Sequence, residues 1–205
     1  LIRFFQERML YRLSRSNFKE NFCLKGGALL YALEQDRSRP TLDLDLLGMH
    51  ITNDQAGMQM AFNQLCYIPY EADGVVFHAD SISTTTITNE GKYPGVRLKV
   101  LAQLGNIKQN LQIDIGFGDV VTPKPVWMAY PVLLDLEAPE IQAYSVETVI
   151  AEKFEAMIDL GELNSRMKDF YDLYRLLQPG KYDRTILLAA IKATFKNRQT
   201  PYIGN

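Results

Sequence analysis

Residues 42–47 read Leu-Asp-Leu-Asp-Leu-Leu. On a strand, successive side chains point to opposite faces. Leu42, Leu44 and Leu46 then share a dry face, while Asp43 and Asp45 share a wet one. A helix would scatter the same residues around its axis. The chain is therefore expected to contain a sheet with two carboxylates on one face, about 7 Å apart along the strand. Such a pair repels itself unless a cation lies between. Mg²⁺ is a hard ion that takes carboxylates and keeps substrate phosphates among its other ligands. Taken alone, the same pattern also suits a solvated strand face.

The surrounding pattern is mixed. Residues 3–15 predict an amphipathic helix carrying Phe5, Met9 and Leu13. Residues 22–24 predict a short strand that runs into Gly26-Gly27 and then a helix to about Leu33. Thr52-Asn53-Asp54 offers caps for a helix to about Leu65. A β-rich stretch follows at 75–88. The segments 95–104 and 111–117 flank Gly105-Asn106 and predict a hairpin with a longer loop. Pro123, Pro125, Pro131 and Pro139 predict a connector. Ser145 can cap a helix through Asp159, residues 166–177 form another, and Asp183 can cap a last one to Lys196. The expected class is α+β: a mixed sheet with flanking helices, then a helical C-terminal region. The expected units are residues 1–140 and 141–205.

Composition narrows the partners. With 205 residues, 47% of them hydrophobic, the chain can bury a core. The formal net charge of −2 means that any nucleic acid must be met by a local basic patch. The two cysteines, Cys23 and Cys66, sit in apolar stretches and read as buried free thiols, which suits a cytoplasmic protein. Two histidines argue against a His/Cys zinc site. No apolar run reaches the ~18 residues of a membrane span, so no membrane partner is expected.

Further candidates cluster around these elements. Gly26-Gly27 at a strand–helix junction can bring backbone N–H groups up to a phosphate, or can be an ordinary turn. Asp114, between Ile113 and Ile115, adds a third carboxylate if its strand lies beside the Asp43–Asp45 strand; otherwise it faces outward. Asp119 reads as a turn residue. Arg97 and Lys99 share a strand face and read as secondary phosphate or base contacts. Lys153 sits among Val149, Ile150, Phe154 and Ile158, where its stem can cover apolar surface. Arg166, Asp169 and Asp172 recur on one helix face, with Phe170, Leu173 and Leu177 as the apolar stripe. The bland reading is an Arg166–Asp169 ion pair. The functional one has Lys153, Arg166 and Asp169 lining a cleft that faces the Asp43–Asp45 strand. Tyr171, Tyr174 and Tyr182 read as core packing.

Lys25-Gly26-Gly27, followed by Arg39, Thr41, Asp43, Leu44 and Asp45, resembles the first motif of the AbiEii-type nucleotidyltransferases. These are toxins of abortive-infection toxin–antitoxin pairs in the polymerase-beta-like nucleotidyltransferase superfamily. Tyr93, Gly95 and Arg97 through Gly105, then Asp114 to Asp119, are similar to the family's central part. Glu147 to Lys153 and Asn164 to Asp172 resemble its last motif. Ala28 departs from the pattern, which has Thr there, and this removes a hydroxyl near the phosphates. The resemblance implies a nucleotidyltransferase fold that binds a nucleoside triphosphate with Mg²⁺, or Mn²⁺. It implies nucleotide transfer to an acceptor hydroxyl such as the tRNA 3′ end, and silencing by a cognate antitoxin. On it, Asp43, Asp45 and Asp114 are metal ligands and catalytic, together with Lys153 and Asp169. Lys25, Gly26, Gly27, Arg97, Lys99 and Arg166 are nucleotide contacts, with Lys153 also a candidate on the triphosphate. A small-molecule or protein acceptor, or a silent partner-binding module of the same fold, stand as alternatives.

Overall fold

The computed structural model describes residues 1–35, 38–88, 94–161 and 167–201. The chain divides into two compact units. One comprises residues 1–118 and 127–143, the other residues 119–126 and 144–205.

The first unit is built on a seven-stranded sheet of order β3-β4-β5-β2-β1-β7-β6. Its strands are β1 (Phe22–Lys25), β2 (Asp43–Gly48), β3 (Val75–Thr88), β4 (Pro94–Leu104), β5 (Ile107–Phe117), β6 (Val126–Ala129) and β7 (Glu140–Ala143). Three helices accompany it: α1 (Ile2–Ser14), α2 (Gly26–Glu34) and α3 (Gln55–Cys66). β2 pairs parallel with β5 and antiparallel with β1. Alternation sorts the sheet as read from sequence. Leu44 and Leu46 are buried with Leu98, Ile113 and Ile115, while Asp43, Asp45 and Asp114 take the alternate positions. Asp54 caps α3, accepting the Gly57 N–H at 2.6 Å.

Several expectations need correction. Leu42 is exposed and precedes the strand, which starts at Asp43. The hairpin has no longer loop: Leu104 pairs with Ile107, so Gly105-Asn106 is a two-residue turn, and Gly105 takes the positive φ (57°) such a turn requires. The proline-rich connector contains β6 and β7, and β7 adds to the sheet in parallel beside β1. Four-residue strands between prolines carry too little alternation to be seen. Cys23 is buried but Cys66 only half-buried, and neither forms a disulfide.

Helix α1 buries Phe5, Met9 and Leu13 as the spacing requires, but buries Gln6, Glu7, Arg8 and Arg12 as well. A buried charge must be paired. Arg12 pairs with Asp73 and also donates to the Val75 carbonyl at 3.1 Å. Arg8 pairs with Glu7 at 2.6 Å and donates to the Glu137 carbonyl. Glu7 accepts the Leu133 N–H at 2.8 Å. These bonds strap the segment before β7 onto α1.

The second unit holds α4 (Val146–Leu160), α5 (Met167–Leu176) and α6 (Arg184–Arg198). Ser145 and Asp183 cap α4 and α6 through their side chains. In α5 the buried residues are Asp169, Asp172, Leu173 and Leu176. The expected stripe is thus rotated: Phe170 and Leu177 are exposed, and so are Tyr171 and Tyr174, which are not core residues. Tyr182 is half-buried. Asp119 is more than a turn residue, because it pairs with Arg198 at 2.9 Å. Among the described residues, no helix is long and apolar enough to cross a membrane.

Candidate active site

Strand register gathers the chemistry into one row across the sheet. Lys25 on β1 lies opposite Asp45 on β2. Asp45 lies beside Asp114 on β5, and Asp114 opposite Arg97 on β4. The row reads cation, carboxylate, carboxylate, cation. One pleat along, Asp43 lies beside Gln112, and Gln112 opposite Lys99. Side chains opposite each other on adjacent strands have Cβ atoms about 5 Å apart, so neighbours in a row lie within reach of one another.

The ends of the row differ. At β1 the chain turns directly into α2. Gly26 has φ 65°, and a Cβ there would overlap the Asp45 carboxylate, so glycine is required twice over. The Gly27 N–H, in the first turn of α2, donates to Asp45 Oδ2 at 3.4 Å. The positive end of the helix dipole therefore meets the carboxylates. A Cβ on Gly27 would run into Thr41, and Thr41 donates to the Asp43 carbonyl at 3.3 Å. Ala28 is buried. At β4, Arg97 grips Asp114 with both prongs: Nε to Oδ1 at 2.8 Å and Nη2 to Oδ2 at 2.7 Å. Burial, with Asp114 and Asp43 alongside, pushes the Asp45 carboxyl above its ordinary range, against the pull of Lys25 and the Gly27 N–H. The Arg97 guanidinium is pushed up by its hydrogen bonds to Asp114.

Two features here were missed by reading the sequence. The Arg97–Asp114 pair is one: a two-residue turn at Gly105-Asn106 would have put these residues opposite each other by counting back along the hairpin. Gln6 is the other. It is buried on α1 and donates to the Asp43 carbonyl at 3.1 Å, fixing the start of the carboxylate strand. Only its polarity on an apolar helix hinted at a task.

Lys153 and Asp169 lie in the second unit. Lys153 Nζ donates to Asp169 at 2.8 Å and to Asp172 at 2.7 Å, joining α4 to α5 through a nearly buried triad. Asp169 is therefore held by Lys153. The expected Arg166–Asp169 ion pair involves Arg166, which lies outside the described residues, as do Tyr93 and Asn164.

A family model described as the nucleotidyl transferase AbiEii toxin of type IV toxin–antitoxin systems matches residues 8–204. The chain belongs to the AbiEii nucleotidyltransferase toxin family. As a member it is an enzyme of nucleotidyl transfer. The AbiEii chain has the fold of JHP933 from Helicobacter pylori, with a TM-score of 0.53 and 17% identity over 93% of this chain and 71% of that one. The antibiotic-resistance factor ANT(2'')-Ia shares it too, with a TM-score of 0.51 and 14% identity over 95% of this chain and 93% of that one. Identities this low speak for the fold alone. No curated protein matches the chain.

The donor set suits a divalent cation. Asp43 and Asp45 offer hard oxygens on one face, and the α2 N-terminus beside them offers N–H groups to a phosphate. Among the described residues, however, no three acidic, histidine or cysteine side chains are drawn together as a ready-made cage.

Proposed function

We propose that this AbiEii enzyme transfers a nucleotide from a nucleoside triphosphate to the 3′ end of tRNA, with Mg²⁺ or Mn²⁺ held by Asp43 and Asp45 and joined by Asp114. The observation that carries this reading is the row Lys25–Asp45–Asp114–Arg97 with the α2 N-terminus at Asp45. The cation would supply charge neutralisation on the triphosphate. Gly26, Gly27 and Lys25 orient the phosphates, and Arg97 and Lys99 contribute cationic contacts on the same face. Asp114 completes the metal site or takes the proton of the acceptor hydroxyl. Catalysis is then mostly positioning and electrostatics. Lys153, Asp169 and Arg166 take part on the strength of the family motif. A cognate antitoxin is the expected protein partner of a type IV toxin, and the cytoplasm its site of action.

The test is label transfer. The protein is incubated with Mg²⁺, each α-labelled nucleoside triphosphate and total tRNA, beside Asp45→Ala. Label on tRNA that requires Asp45 is the expected result. Nucleotide binding without tRNA labelling would move the acceptor to a small molecule or a protein. Transfer at the wild-type rate by Asp45→Ala would remove the site assignment.

A further inference from the structure

Both oxygens of Asp114 are taken by the Arg97 fork, at 2.8 and 2.7 Å, and Gln112 Nε2 approaches Oδ2 at 3.5 Å. A cation bound to Asp43 and Asp45 could use Asp114 only through the lone pairs that Arg97 leaves on its oxygens. A guanidinium seated across both oxygens opposes that by geometry and by charge. Arg97 is itself part-exposed, so an incoming group can reach it. A guanidinium fork fits phosphate as well as it fits carboxylate.

We propose that Arg97 holds Asp114 in reserve: it keeps this carboxylate out of the cation's ligand set until a phosphate group of the substrate draws the guanidinium away. This rests on the cation reading above. Cation binding and triphosphate binding then strengthen each other, by the same factor in both directions. Arg97 meets the substrate phosphate directly in this scheme and acts on the cation through Asp114.

The test uses Mn²⁺ alone, titrated against the folded protein and followed by the electron paramagnetic resonance of free Mn²⁺. Arg97→Gln is expected to bind Mn²⁺ at least tenfold more tightly than wild type. The pair Arg97→Gln with Asp114→Asn leaves net charge unchanged, and should return to within threefold of wild type. Lys99→Gln removes a cation from the same face without releasing Asp114, and should tighten binding less than threefold. Equal tightening by Lys99→Gln would reduce the effect to charge alone. A paired variant tenfold weaker than wild type would mean that Asp114 is already a ligand. Either result, or no tightening by Arg97→Gln, overturns the proposal. In a second titration, inorganic tripolyphosphate without metal should lose at least tenfold in affinity with Arg97→Gln; unchanged affinity removes the exchange step. Asp45→Asn separates the two readings, because Mn²⁺ bound equally well without the Asp45 carboxylate would overturn the cation site itself.

Discussion

Replacing Asp45 by asparagine exchanges one carboxylate oxygen for an amide in the most crowded part of the row. The amide oxygen still accepts the Gly27 N–H, so shape and that bond survive. The charge terms can be weighed. Lys25 and Asp114 lie directly opposite Asp45 on its two neighbouring strands. At an effective dielectric of about 20, unit charges about 5 Å apart interact by roughly 3 kcal/mol, with opposite signs for these two. The pull of Lys25 is the larger, so the two offset only in part. What remains is desolvation, which is the largest influence on Asp45, plus repulsion from Asp43, less part of the charge-assisted bond from Gly27. The metal-free Asp45→Asn protein should therefore be more stable at pH 7, by about 1 kcal/mol on the usual scale of a point substitution, or about 2–4 °C in Tm for a chain of this size. The sign follows from linkage. The folded carboxyl titrates above its unfolded value, so the wild type loses stability as pH rises from the unfolded value through the folded one. The gap between the proteins should vanish below the ordinary carboxylate range and be full at neutral pH. Thermal unfolding in EDTA at several pH values measures this, while label transfer should fall by at least about 100-fold, or ~2.7 kcal/mol. A variant less stable than wild type at pH 7 would refute the reasoning, since Lys25 and Gly27 would then outweigh burial.

Other expectations follow from named contacts. Gly26→Ala forces a side chain into a positive φ and into Asp45, and should cost about 2 kcal/mol or more in urea unfolding. Asp73→Ala leaves Arg12 buried without its partner and should cost about 3–5 kcal/mol by the same measurement. Lys153→Ala leaves Asp169 and Asp172 buried together, and should destabilise by about 3 kcal/mol. Circular dichroism of this variant separates lost packing from lost chemistry. Burial pushes the Cys66 thiol up to about 12, so a thiol reagent at pH 8 should leave it unlabelled until the protein unfolds.

What could be read in the sequence was whatever depends on neighbours along the chain. The Asp43–Asp45 alternation, the caps at Asp54, Ser145 and Asp183, and the glycine junction at 26–27 all stand in the structure. The fold class followed from such local patterns, while the family came from the resemblance of the first, central and last motifs. Contacts between distant segments were harder. That Asp114 would lie beside Asp45 depends on β2 choosing β5 as a parallel neighbour, and a single sequence carries no local trace of that choice. Helix α5 was turned to the wrong side because its inner face carries two aspartates. Lys153, on another helix, pairs with both and helps make that face tolerable. The buried charges of α1 misled in the same way, since Arg12 finds its partner at Asp73.

The row across the sheet has a consequence for biosynthesis. Each of its four members comes from a different strand, and the last of them to be translated is Asp114 on β5. A nascent chain still inside the ribosome at that point has Lys25, the glycine turn and the paired aspartates but no Asp114 beside them. The constellation exists only after β5 emerges and slots in beside β2. On the proposed site, a fragment that ends before β5 lacks one of the carboxylates that nucleotidyl transfer would use.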